Sequence, residues 1–235
     1  MKILSKGVSA LQDQLPNKLL RYRTVQGEGC GEIVIQKSRF LAYVKRAETE
    51  ADALHFIERI RKQHWDATHN CTAYVVGDHD QFQKANDDGE PAGTAGKPML
   101  EVLKKSGLKD TVVVVTRYFG GVKLGAGGLV RAYSKAVSAG LAAVGVIERT
   151  LHRPIAIGID YSQLGRVERE LRTAGIAIAE IRYLETVTVV ALAEAGQEEE
   201  VEKKAIDWTA GQALLERLAP VWVDRSVSCN DEELS

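Results

Sequence analysis

Four consecutive valines, Val112-Val113-Val114-Val115, constrain this chain more than any other feature. A strand with one wet face alternates apolar and polar residues, and this run does not. Thr111–Tyr118 is therefore expected as a strand covered on both faces. Around it, the pattern predicts strands at Leu19–Gly27, Glu32–Ile35, Phe40–Arg46 and Thr72–Val76, rich in β-branched and aromatic residues. Helices are expected at Glu48–Gln63, Thr94–Lys105 and Leu129–Val144, from apolar positions three and four apart. In the first of these, Leu54, Ile57 and Ile60 form the stripe, widened by Ala53 and Phe56. The polar stretch Asp78–Pro91 reads as a loop.

The second half has another rhythm. Arg153–Asp160 reads as a strand and Ser162–Thr173 as a helix, with Gly175 as its stop. Ile176–Tyr183 and Thr186–Ala193 form a hairpin. Glu198–Leu218 reads as helical, with an interruption possible at Gly211, and Pro220–Ser226 as a last strand. That order, β-α-β-β-α-β, is the ferredoxin-like arrangement. The expected organisation is a tail over 1–18, domains over 19–148 and 149–228, and a second tail over 229–235. A chain of 235 residues holds two modest domains of this kind. The fold class is α+β.

No run approaches the ~18 apolar residues of a membrane span. The start of the chain lacks the apolar region of a secretory signal. Three cysteines, Cys30, Cys71 and Cys229, are far apart and form no CxxC. These features together predict a cytoplasmic protein without a disulfide framework or a cysteine zinc site. Histidines at 55, 64, 69, 79 and 152 fit no standard zinc spacing. His69 and Cys71 read as buried and hydrogen-bonded, and His55 as solvated. Serine nucleophile elbows and HExxH are absent. Net charge is −1, but residues 1–148 carry 21 − 16 = +5 and residues 149–235 carry 10 − 16 = −6. A mildly basic first half favours a polyanion, or reflects ordinary surface variation.

Nine of the 21 glycines lie between Gly89 and Gly128. All but Gly107 belong to two segments. The first runs from Asp87-Asp88-Gly89-Glu90-Pro91 through Gly96-Lys97-Pro98. Its carboxylates, Asp87, Asp88 and Glu90, suit three roles: pinning a turn, meeting a basic partner, or holding Mg²⁺. It is not a Walker A motif, because Pro91 and Pro98 stand where Gly and Ser or Thr are needed. The second runs Arg117-Tyr118-Phe119-Gly120-Gly121-Val122-Lys123-Leu124-Gly125-Ala126-Gly127-Gly128-Leu129-Val130-Arg131-Ala132-Tyr133. Strand, glycine loop and helix follow one another, and a helix start attracts anions. Arg117, Lys123 and Arg131 would add charge, and Lys97 joins them from the first segment. Val130 breaks the dinucleotide fingerprint. The alternative is that the glycines only let helix and sheet pack closely. Tyr118, Phe119 and Tyr133 read as core.

These segments, with Lys37-Ser38-Arg39-Phe40 and His69-Asn70-Cys71-Thr72-Ala73-Tyr74, resemble the IMPACT family in order and spacing. The resemblance covers about residues 20–145, and residues 150–226 look like the C-terminal domain of bacterial members. It implies a first domain like domain 2 of ribosomal protein S5 and RNase PH. It implies a second, ferredoxin-like domain similar to the last domain of elongation factor G. Both comparisons point towards RNA or the ribosome. Eukaryotic members restrain a starvation kinase by competing for its activator and carry an added RWD domain. This chain has no room for one, so that pathway is not carried over. No family-wide reaction is implied and no cofactor is expected.

The functional expectation is a non-catalytic, translation-associated regulator. It would bind RNA, the ribosome or a protein partner through the acidic segment and the glycine segment, chiefly at Arg117, Tyr118, Gly120, Gly121, Lys123, Gly125, Gly127, Gly128 and Arg131. The alternative is a metal-dependent hydrolase or phosphoryl-transfer enzyme using Asp87, Asp88 and Glu90. The oligomeric state is not specified by the sequence, and no membrane partner is expected.

Overall fold

The computed structural model describes residues 19–77 and 79–226. The expected tails, 1–18 and 229–235, fall outside these residues. Among the described residues, two sheets and five α-helices form a two-domain α+β architecture.

The valine run explains the first sheet. Strands β1 (Arg21–Val25), β2 (Glu28–Ile35), β3 (Ser38–Arg46), β4 (His69–Val76), β5 (Phe82–Asn86) and β6 (Thr111–Tyr118) come from the first half. Five of them pair antiparallel in the order β2-β3-β6-β4-β5, with β6 in the centre. Val113 and Val115 enter one core, with Phe40, Met99, Leu103 and Tyr133. Val112 and Val114 enter the other, with Phe56, Ile57 and Ile60. Helices α2 (Gly96–Lys105) and α3 (Gly125–Val144) cover the first face, and α1 (Glu50–Gln63) covers the second. Thr49 and Asp52 close a reciprocal capping box at the start of α1. Leu54, expected in the apolar stripe, is exposed instead.

Strand β7 (Val146–Ile159) is the spine of the second sheet. Its first residues pair with β1 and its last residues with β9 (Val187–Glu194), along one edge. Strands β10 (Leu214–Arg217) and β11 (Val221–Ser226) share the opposite edge. Strand β8 (Ala177–Tyr183) pairs outside β9. Helices α4 (Leu164–Thr173) and α5 (Glu198–Trp208) lie over Ile155, Ile157, Val189 and Ala191. Ion pairs tie the halves together: Arg149 reaches Glu48 and Asp224, and Arg46 reaches Asp224.

Three expectations need correction. The 78–91 stretch is not all loop, because 82–86 forms β5. All five of its residues are exposed, so an edge strand here shows no apolar alternation. The 198–218 helix stops at Trp208. Ala210 and Gly211 turn the chain with φ of 52° and 81°, and Leu214–Arg217 joins β7 as a strand. Helix α3 begins at Gly125 rather than at Leu129. Gly125, Gly127 and Gly128 of the second segment therefore lie in its first turn.

Candidate functional site

The acidic segment is held from within. Asp87 Oδ1 accepts from the backbone N–H groups of Ala95 and Gly96 at 3.0 and 2.8 Å. Its Oδ2 accepts from Gly93 N at 2.8 Å. Asp87 thus caps α2 from outside the helix, where the N-cap residue Ala95 has no acceptor to offer. Gly96 packs against Asn86 so closely that an added Cβ would lie 2.7 Å from its nitrogen. Burial pushes the Asp87 carboxyl up, but the three N–H groups outweigh it and leave its pKa below the ordinary value.

A pH dependence follows. The depressed pKa contributes stability that is fully present above the unfolded-state value of ~3.9. That contribution is lost as pH falls from there through the folded-state pKa. Asp87→Ala is expected to lower stability by about 1–2 kcal/mol at neutral pH, as loss of a helix cap does. The deficit relative to wild type should shrink on acidification. Urea unfolding at neutral pH and at acid pH checks both parts, and a deficit that grows on acidification contradicts the assignment.

Asp88 turns elsewhere. Its Oδ2 accepts from Asn70 N at 2.6 Å, and its Oδ1 is 3.5 Å from Arg61. Its carbonyl lies 2.7 Å from His69 Nδ1. Glu90 is buried and turns a third way. Its Oε1 pairs with Arg117 Nη1 at 2.6 Å and accepts from the Tyr133 hydroxyl at 2.8 Å. The three carboxylates therefore diverge onto separate protein donors. Among the described residues no group of three or more His, Cys, Asp or Glu is gathered to hold a metal ion.

Arg117 is only 5% exposed. Its guanidinium lies 5.4 Å from the ring centres of both Phe40 and Phe119. Nη2 donates to Ser38 Oγ at 3.3 Å, which also accepts from Gly120 N at 3.1 Å. Nε has no hydrogen-bond partner among the described residues. Arg117 was expected to meet phosphate at the surface, and the fold commits its charge to Glu90 instead. The network continues inward. The Cys71 thiol donates to the Asp87 carbonyl at 3.0 Å and lies 3.3 Å from the Tyr133 hydroxyl. Burial pushes that thiol up to about 12 and also raises Tyr133, so both stay protonated at neutral pH.

The fold thus joins the two segments through Glu90, Arg117 and Tyr133, and leaves most of the stretch 119–127 exposed. Lys97, Gly121, Lys123, Gly125, Gly127 and Arg131 are exposed, while Gly120 and Gly128 are partly covered. The N-cap of α3, Leu124, offers no side-chain acceptor to the first turn. Lys97, Lys123 and Arg131 form no ion pair with a described residue. Lys97 lines a groove between α2 and α3 with Val102, Val130 and Ser134.

Of the aromatics, Tyr133 is buried and Tyr118 half-buried, but Phe119 is 45% exposed and is not core. Cys71 is buried as expected; His69 is hydrogen-bonded as expected but only half-buried, and His55 is exposed. Sequence reasoning passed over Ser38, the shared acceptor, and Trp65, which is 83% exposed. The available signal for Trp65 was a large aromatic set in the polar run Arg61-Lys62-Gln63-His64-Trp65-Asp66.

The Impact N-terminal domain matches residues 36–141, and a domain of unknown function, DUF1949, matches residues 157–212. The IMPACT family member YvyE of Bacillus subtilis (strain 168) is 60% identical over 166 residues, which are 71% of this chain and 76% of that protein. The IMPACT family member YigZ of Escherichia coli (strain K12) is 37% identical over 183 residues, 77% of this chain and 90% of that protein. A crystal structure described as that of a hypothetical protein is 33% identical with a TM-score of 0.55, over 86% of this chain and 98% of that one. With relatives this similar over most of their own length, and both domain matches in the same order, the chain belongs to the IMPACT family.

Proposed function

We propose that this chain is a non-catalytic, translation-associated regulator in the cytoplasm. It binds RNA, free or within the ribosome, at the surface around the start of α3. One observation carries the reading. The exposed first turn of α3 has no side-chain cap, and Lys97, Lys123 and Arg131 nearby form no ion pair with a described residue. Free N–H groups, the positive helix end and unpaired cations together suit phosphate. The acids of the 87–90 segment are spent inside the protein, which favours neither a metal site nor a basic partner there.

Fold analogy adds limited support. The element order from β7 to β10 fits the ferredoxin-like reading and the likeness to the last domain of elongation factor G. The α-covered first sheet is the part read as like domain 2 of ribosomal protein S5. No helix among the described residues is long and apolar enough to cross a membrane.

The test is binding to purified ribosomes and to short RNA across a salt series, with wild type beside Lys97→Ala/Lys123→Ala/Arg131→Ala. Wild-type affinity should fall steeply with salt. Losing three phosphate contacts on a single strand should flatten the slope of log K against log salt by about 2. All RNA sequences should weaken alike, since phosphate carries no sequence information. A triple variant with wild-type affinity and slope would refute the proposal.

A further inference from the structure

We propose that the RNA bound at this surface is single-stranded, with Trp65 and Phe119 as the platforms on which its bases stack. This rests on the RNA reading above and narrows it to one class of ligand. An indole is large and apolar and is ordinarily buried. Trp65 is nevertheless 83% exposed, and Phe119 is 45% exposed.

The turn that carries Trp65 is built to be rigid. His64, just before it, places Nδ1 2.9 Å from the Tyr118 hydroxyl and Nε2 2.7 Å from the Tyr43 hydroxyl. The Tyr118 hydroxyl also reaches Asp66 Oδ1 at 3.3 Å. Thr68 N donates to the Arg117 carbonyl at 2.9 Å, and Phe119 N donates to Thr68 Oγ1 at 3.0 Å. Burial lowers the pKa of His64, so the ring is neutral at physiological pH and its two contacts persist. Four hydrogen-bond contacts thus stitch the Trp65 turn to the end of β6, where Phe119 stands, and a fifth ties it to Tyr43 of β3. The platform is pre-organised, so little ordering cost remains for a ligand.

Position selects the ligand. Phe119 is followed directly by Gly120, and the chain then runs through Lys123 into the open start of α3. Aromatic faces and phosphate-seeking groups therefore adjoin along one stretch of chain. The exposed Arg39 guanidinium lies 5.9 Å over the Tyr118 ring, with its charge paired to Glu32 at 2.8 Å. Aromatic faces beside a cationic track are the arrangement that holds single strands, where every base offers a π-face. A duplex hides those faces in its own stack and would use only the cations.

The experiment measures affinity of the full chain for a short labelled single-stranded RNA and for a duplex of the same length. Wild type is compared with Trp65→Ala and Trp65→Tyr. The Trp65 side chain makes no hydrogen bond or ring contact with a described residue, and unchanged circular dichroism will verify that each variant folds. Trp65→Ala is expected to weaken single-strand binding by roughly five- to hundredfold. Duplex affinity and the salt slope should stay as in wild type, and Trp65→Tyr should recover most of the loss. Equal single-strand affinity for Trp65→Ala and wild type overturns the inference. So does an equal loss on both RNAs. In either case salt-steep binding by wild type leaves the RNA reading standing. Wild type that binds neither RNA at low salt removes both.

Discussion

Replacing Arg117 by Met is expected to lower the unfolding free energy by about 3–5 kcal/mol, as breaking a buried ion pair from one side does. The Glu90 side chain is 3% exposed and would keep its charge with the Tyr133 hydroxyl donating to it and His69 Nε2 3.9 Å away. A hydrogen bond to a charged group contributes about 1.5–3 kcal/mol, less than a buried carboxylate needs. Glu90→Gln should be milder. Its amide oxygen can still accept from Tyr133 and Arg117, although the guanidinium then lacks a counter-charge. Removing both partners, as Arg117→Met with Glu90→Leu, should recover part of the loss, because no uncompensated charge stays behind. Urea denaturation of the four proteins measures the series. A loss below about 1 kcal/mol for Arg117→Met, the value of an exposed pair, would mean that water reaches this site.

Gly120→Ala should also be costly, for a steric reason. A Cβ at this position would overlap the Lys37 carbonyl and stand 2.5 Å from Ser38 N. Both contacts are backbone, in a tight turn where Gln36 and Lys37 hold φ of 45° and 65°. Neither atom can rotate aside as a side chain would. Overpacking of this kind costs about 1–3 kcal/mol, and the rigid neighbour places this case at the upper end. The shift would also pull Ser38 Oγ from the N–H of Gly120 and from Arg117 Nη2. Thermal unfolding of Gly120→Ala tests this, and an unchanged midpoint would show that the β2–β3 turn yields freely.

What could be read from the sequence depended on how local the governing force is. Burial on two faces leaves a mark on each residue, so β6 was legible as Thr111–Tyr118 without error. Pairing with a distant strand leaves none. Leu214–Arg217 is made of good helix formers, and only its partner β7 draws it into a sheet. Phe82–Asn86 escaped notice because an edge strand exposed on both faces has no period to detect. The motif residues were visible, but their roles were not. Arg117 and Lys123 look alike in a sequence, yet one is buried against Glu90 and the other lies in solvent. That distinction arises only when the 87–90 turn folds back over the end of β6.

Strand β7 has an evolutionary consequence. It carries the close of the first half and the opening of the second with no break between them. One inserted residue within Arg149–Arg153 would shift everything after it by a single step. Side chains alternate along a strand, so Ile155, Ile157 and Ile159 would then swing away from α4 and α5. Length changes must therefore be rare in this stretch and concentrated in turns such as 184–186 or 218–220. The pitch between the α3 surface and the second sheet is thereby handed down unaltered, and a target that grips both is met by footholds a set stride apart.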